Sequence, residues 1–109
     1  MINFLRGKIF SKSFNSLTLD VNGVGYSCII SKNTYSRLPN KDEDCFILTH
    51  FQVSENSQSL FGFYDEKEKT FFELLIGVSG IGPKTAINLL SSISPDEFKD
   101  RIISGEVSK

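Results

Sequence analysis

Along residues 1–64, apolar side chains recur at every second position. In "NSLTLDV", Leu17, Leu19 and Val21 share one side of the chain, and Thr18 and Asp20 take the other. "VGYSCII" keeps the same period with Val24, Tyr26, Cys28 and Ile30. Successive side chains leave opposite faces of a strand, so this is the spacing of half-buried strands. Between the two runs, Asn22 and Gly23 form a turn in which positive φ comes cheaply. "INFLRGKIF" precedes them, and "CFILTHFQV" and "SLFGFY" follow, so the pattern predicts five short strands. "SKNTYSRLPNKDED", between the third and fourth, leaves room for a short helix, and its acidic end reads as a solvated loop. Gly7 and Gly62 inside strands predict bulges or sharp bends. Phe4, Phe46 and Phe61, with Phe71 further on, fall on apolar phases that assign them to core packing. Five strands with such an insertion fit a small closed barrel, for which the oligonucleotide/oligosaccharide-binding (OB) fold is the leading candidate. A flat open meander fits less well, because long bare edges invite association.

After Tyr64 the period changes. "DEKEKTFFELLIGV" opens with acidic residues suited to a helix N-terminus, and its Phe71, Leu74, Leu75 and Val78 recur at spacings of three and four. "PKTAINLLSSI" begins with Pro83 at a first helical position and continues with Ala86, Ile87, Leu89 and Leu90. "SPDEFKDRII" has Ser94 as N-cap, Pro95 in the first turn and Glu97 three residues on, a capping-box pattern. The predicted class is α+β. A five-stranded OB-fold barrel covers residues 1–64, and a partial helical domain covers residues 65–109.

Composition narrows the chemistry. With 109 residues, there is enough chain for one small core, or one compact domain and an attached fragment. The longest apolar run, "FFELLIGV", is far too short to span a bilayer. The start "MINFLRGKIF" lacks the long apolar core and small-residue cleavage site of a signal peptide, which makes the cytoplasm the default location. Net charge is −1, and neither half departs far from neutrality: residues 1–64 carry six Lys/Arg against five Asp/Glu, and residues 65–109 carry six against eight. Any grip on a polyanion must therefore be local and geometric. Cys28 and Cys45 lack the partners of a metal site, and His50 lies in the apolar stretch "FILTHFQV". They read as buried thiols and a strand residue. No nucleophile–base pair, metal cluster or cofactor motif stands out, so no catalytic residue and no cofactor is predicted.

One stretch raises a sharper question. "VSGIGPKTA", residues 78–86, places glycines, a lysine and a threonine at the mouth of a predicted helix. Gly77 and Gly82 have the separation of an ATP-binding P-loop, but Pro83 stands between Gly82 and Lys84. That insertion rotates the lysine by about 100° around the helix. The preceding segment also reads as helix where a P-loop needs a strand. The better fit is a helix-hairpin-helix motif. Gly80 and Gly82 let the backbone turn tightly and approach a ligand, while Ile81 drops between the helices. Ser79, Lys84 and Thr85 then flank unpaired amides at a helix N-terminus, where the helix dipole favours a phosphate. Such a motif grips the DNA backbone without reading bases. A plain tight turn between packed helices is the simpler alternative.

"LRG" (5–7), "VNGVGY" (21–26), "THF" (49–51), "LFGFYDEKEKTFFELL" (60–75), "VSGIGPKTA" (78–86) and "LLSSISPDEF" (89–98) together resemble the N-terminal part of the RuvA family. These are the Holliday junction branch-migration proteins of bacteria. The resemblance covers the whole chain. It implies an OB-like barrel, then a helical domain with two hairpins and a linked C-terminal domain, of which the second hairpin and the last domain are absent here. It implies a non-catalytic scaffold in recombination and repair, a homotetramer on which four-way junction DNA opens. The implied partners are RuvB, an ATP-driven motor that docks on the C-terminal domain, and the RuvC resolvase. The DNA-binding residues it implies are Ser79, Gly80, Ile81, Gly82, Lys84 and Thr85. It also implies an acidic pin between the last two strands, where Glu55 matches the family pattern and Asn56 replaces its second acid. A rival reading is an oligomerisation or protein-interaction fragment that has lost high-affinity DNA binding. A general single-strand-binding barrel with exposed aromatic platforms is a third.

Overall fold

The computed structural model describes residues 1–92. The helix anticipated from Ser94 lies outside the described residues. Strands β1 (Phe4–Ser13), β2 (Ser16–Val21), β3 (Val24–Ile30), β4 (Asp44–Val53) and β5 (Gln58–Phe63) close into a barrel in the order β1-β2-β3-β5-β4. Only β3 and β5 pair in parallel; the other ladders are antiparallel. This is the OB arrangement anticipated from the strand pattern. A single helical turn, α1 (Lys32–Tyr35), fills the gap between β3 and β4 with Ser31 as its N-cap. The turn at Asn22 and Gly23 takes positive φ at both residues, 53° and 89°, and the Asp20 carboxylate accepts from the Gly23 amide at 2.7 Å.

The alternation along each strand sorts its residues between two cores. Leu5, Ile9, Leu17, Leu19, Cys28, Ile30, Cys45 and Ile47 fill the barrel. On β5, Leu60 turns towards this core, whereas Phe61 and Phe63 turn outward under the helices. There they meet α2 (Glu66–Ile76) and α3 (Pro83–Ser92) through Phe72, Leu75, Ala86, Ile87 and Leu90. The Phe72 ring centroid lies 5.1 Å from that of Phe61 and 5.0 Å from that of Phe63. One strand thus serves both cores, and this couples the helices to the barrel wall.

Three expectations need correction. Phe4 and Phe46 are not core residues; they are 52% and 44% exposed on the outer face of β1 and β4. The inward positions of these strands belong to Leu5, Ile9, Cys45 and Ile47, which leaves the phenylalanines on the opposite phase. Neither predicted glycine bulge marks the register shift, which falls between Ile9 and Ser11. Gly7 instead admits the Asp20 carbonyl of the neighbouring strand where a Cβ would collide with it. A Cβ on Gly62 would press on Cys28 at 3.1 Å and on Ile30 and Ile47 at 3.3 Å. Finally, the buried stripe of α2 is Glu68, Phe72 and Leu75, whereas Leu74 and Val78 face solvent.

Candidate nucleic-acid interface

Asp65 caps α2, accepting from the Glu68 amide at 2.9 Å, and acidic residues occupy the first turn, as the positive end of the helix dipole favours. The helix closes with the Gly77 and Val78 amides bonded to the Leu74 and Leu75 carbonyls. Gly80 then reverses the chain at φ +89°, a conformation costly for any side chain. The Ile81 amide turns back to the Val78 carbonyl at 3.1 Å, and its side chain packs on the helical core. This is the role the sequence assigned it. The first bond of α3 runs from the Ala86 amide to the Gly82 carbonyl at 3.0 Å. Pro83 has no amide hydrogen to satisfy, and the amides of Lys84 and Thr85 lie in the first turn, before the first helical bond, without helical acceptors.

The side of this turn away from the core is open. Ser79, Gly80, Gly82, Lys84 and Thr85 are all exposed. A Cβ built on Gly80 or Gly82 would meet nothing within 4 Å. Among the described residues, Lys84 has no ion-pair partner. The arrangement presents unpaired amides, a helix N-terminus, a hydroxyl and a cation to solvent, with no side chain above the two glycines. That is the chemistry of an anion seat. The element before the loop is helix and not strand, so the P-loop alternative fails on its own geometric requirement. Among the described residues, no group of three or more His, Cys, Asp or Glu could hold a metal ion.

Glu55 and Asn56 sit elsewhere, at the tip of the β4–β5 connection. The Ser54 amide bonds the Ser57 carbonyl at 2.8 Å and pinches the loop, leaving both tip residues exposed. No hydrogen bond or ion pair joins this tip to the 79–85 turn among the described residues.

A family model for the RuvA N-terminal domain matches residues 1–62. The chain belongs to the RuvA family. A second model, a SAM-like helix-hairpin-helix tandem, matches residues 72–107 and so includes the turn just described. Three relatives carry the name Holliday junction branch migration complex subunit RuvA. The one from Geobacter sulfurreducens is 46% identical over 107 residues, 98% of this chain and 54% of that protein. The one from Chlorobaculum parvum is 44% identical over 104 residues, 95% of this chain and 51% of that protein. The one from Salinibacter ruber is 38% identical over the full chain and 54% of that protein. The chain thus spans about half the length of these RuvA relatives.

Sequence reasoning missed how the RuvA hairpin is fastened to its barrel. Glu68 is 1% exposed, and its carboxylate accepts the hydroxyls of Ser31, at 2.5 Å, and Thr34. The Thr34 hydroxyl in turn accepts the Tyr64 amide at 3.1 Å. Asn33 donates to the Leu90 carbonyl at 2.5 Å, and the Lys32 amide donates to the Ser91 hydroxyl at 3.1 Å. Arg37 pairs with Asp65 at 2.9 Å and lies 4.5 Å above the Tyr64 ring. His50 meets Glu73 at 3.0 Å and Gln52 at 2.9 Å, tying β4 to α2. The one sequence signal was Asp65 followed three residues later by Glu68, which reads as an ordinary cap and gives no hint of burial.

Proposed function

We propose that this chain is a non-catalytic, junction-binding scaffold of a Holliday junction branch-migration complex. The single observation that carries this reading is the exposed turn at residues 79–85, whose free Lys84 and Thr85 amides suit a backbone phosphate. The names of the relatives support the same reading. The scaffold would act in the cytoplasm as a homotetramer, beside an ATP-driven RuvB motor and a RuvC resolvase. Ile81 would hold the hairpin shut, while Ser79, Gly80, Gly82, Lys84 and Thr85 meet the DNA. Glu55 would point a carboxylate at the junction centre, with Asn56 as a weaker neighbour.

Among the described residues Lys84 is the cation beside this turn, so the turn itself should contribute only a shallow dependence on salt. Each phosphate contact contributes roughly 0.9 to the slope of log affinity against log salt. Titrating a four-way junction with the parent chain and with Lys84→Ala, at two salt concentrations, tests the assignment. The variant should lose affinity and about 0.9 of the slope. Equal slopes would remove Lys84 from the interface.

A second reading has its own support. Phe4 and Phe46 meet in a tilted contact, ring centroids 5.3 Å apart, on the outer barrel face; Arg6 lies 5.2 Å from the Phe46 ring, and Phe10 is exposed on β1. An uncovered aromatic face is what an association surface looks like. In this reading the barrel assembles copies or partners, and DNA binding is secondary.

A further inference from the structure

We infer that Glu68 is a positioning residue: through Ser31 and Thr34 it fixes the direction in which the 79–85 turn faces relative to the barrel. The inference rests on the DNA-binding reading for its functional consequence, but its structural half stands alone. A single turn such as α1 has no independent stability. Here it is held at three places, by the Tyr64 amide at the exit of β5, by Glu68 near the start of α2, and by Leu90 and Ser91 near the end of α3. All these attachments lie at the end of the helix pair opposite the loop. α2 runs from Glu66 to Ile76, so Ile76 lies eight residues beyond Glu68. At 1.5 Å per residue that is a lever of about 12 Å. A swing of roughly 10° at the bracket would move the loop by about 2 Å, enough to lose a hydrogen bond.

The chemistry of the bracket makes it selective for a carboxylate. The Ser31 hydroxyl already accepts the Thr34 amide, and the Thr34 hydroxyl already accepts the Tyr64 amide. Both hydroxyl hydrogens are therefore directed at Glu68, one to each oxygen. An amide in place of the carboxylate accepts only one of them and sets N–H against the other. A buried group left without its partner drives local rearrangement. In the ordinary capping box, a glutamate at this position reaches back to its own helix start. Here its oxygens reach across to α1.

The test uses the 109-residue chain with spin labels on cysteines introduced at exposed Asn15 and Asn88, the native thiols being buried. Pulsed EPR reads the barrel-to-hairpin distance in the parent, Glu68→Gln, Thr34→Val and Thr34→Ser. The first two should broaden or shift the distribution, and Thr34→Ser, which keeps the hydroxyl, should match the parent. Junction affinity relative to linear duplex should fall roughly 2- to 30-fold in the first two, as for residues that couple sites they do not touch. The salt slope on duplex should stay at the parent value, because the phosphate contact itself is intact. An unchanged distance distribution overturns the inference, as does a lower melting temperature with distance and preference both retained. If Glu68→Gln fails to fold, Thr34→Val against Thr34→Ser gives the same comparison. A parent that binds no DNA defeats the DNA reading only; a broadened distance in Thr34→Val then still supports the bracket, and an unchanged one still overturns it.

Discussion

Gly80 and Gly82 are separated by one residue, yet they are glycine for different reasons, and that difference can be measured. Gly80 holds φ +89°, so alanine there is strained even though space is open. The expected cost is roughly 1–2 kcal/mol, read by urea unfolding. Gly82 has open space and no positive φ, so its alanine variant should cost no more than about 1 kcal/mol, the scale of a cap change. Its new methyl would nevertheless stand where a phosphate has to approach. Gly82→Ala should therefore lose DNA binding while keeping most of its stability. A variant that binds as well as the parent would show that nothing approaches this face closely. Cys28 gives a residue-scale prediction of another kind. Burial in the barrel, assisted by neighbouring Cys45, pushes its thiol up from 9.0 to about 12. The folded state holds the proton more tightly than the unfolded chain. Stability is therefore unaffected below pH 9 and is lost as pH rises from 9 towards 12. At pH 10.5 the loss is on the order of 2 kcal/mol. Unfolding curves at pH 8 and 10.5 should show a gap that shrinks in Cys28→Ala; the same gap in both proteins would mean that other groups cause it.

At the scale of elements, the period-two and period-three-to-four patterns were enough to place five strands and the two helices around the turn. Local burial dictates those periods, so they are visible in sequence. Which phase of a period faces inward was less legible. Phe4 and Phe46 are large and apolar, yet barrel closure gave their strands' inward positions to smaller residues. The turn at residues 79–85 was readable because its constraints are local: a positive φ, a proline without an amide hydrogen, and a helix start. The Glu68 bracket was not readable, because its donors, Ser31 and Thr34, lie 37 and 34 residues away. The β4–β5 tip carries its own prediction. Asn56 is exposed beside Glu55, so Asn56→Asp adds a carboxylate without disturbing packing. At about 8 Å from a phosphate, one such charge repels by roughly 0.5–2 kcal/mol before screening. In a protein of full RuvA length, the substitution should sharpen preference for a four-way junction over linear duplex, more so at low salt. Unchanged preference in competition binding would argue that the tip never faces DNA.

On the scale of the whole molecule, the described residues form a slab of 47 × 32 × 19 Å. The helices cover the outer wall of the barrel at β5, whereas β1 and β4 keep an aromatic face open to solvent. Phe4, Phe46 and Phe10 hold exposed ring surface there, and the Arg6 guanidinium lies over the Phe46 ring. Fully burying one such side chain stabilises by roughly 1.5–3 kcal/mol. If barrels associate through this face, Phe46→Ser should weaken assembly by about 10- to 100-fold per contact. The same substitution removes the Phe4 and Arg6 contacts within the monomer, so the dilute chain should lose only about 1 kcal/mol of stability. Sedimentation velocity across a concentration series reads the first quantity, and urea unfolding of the dilute chain reads the second. A parent that stays monomeric throughout the series, or a variant that assembles equally well, would leave the aromatic face without a role in assembly. Loss of assembly together with loss of junction binding would tie the two faces into one platform. Loss of assembly with binding unchanged would make the 79–85 turn a self-sufficient grip, able to hold a duplex arm as a single copy.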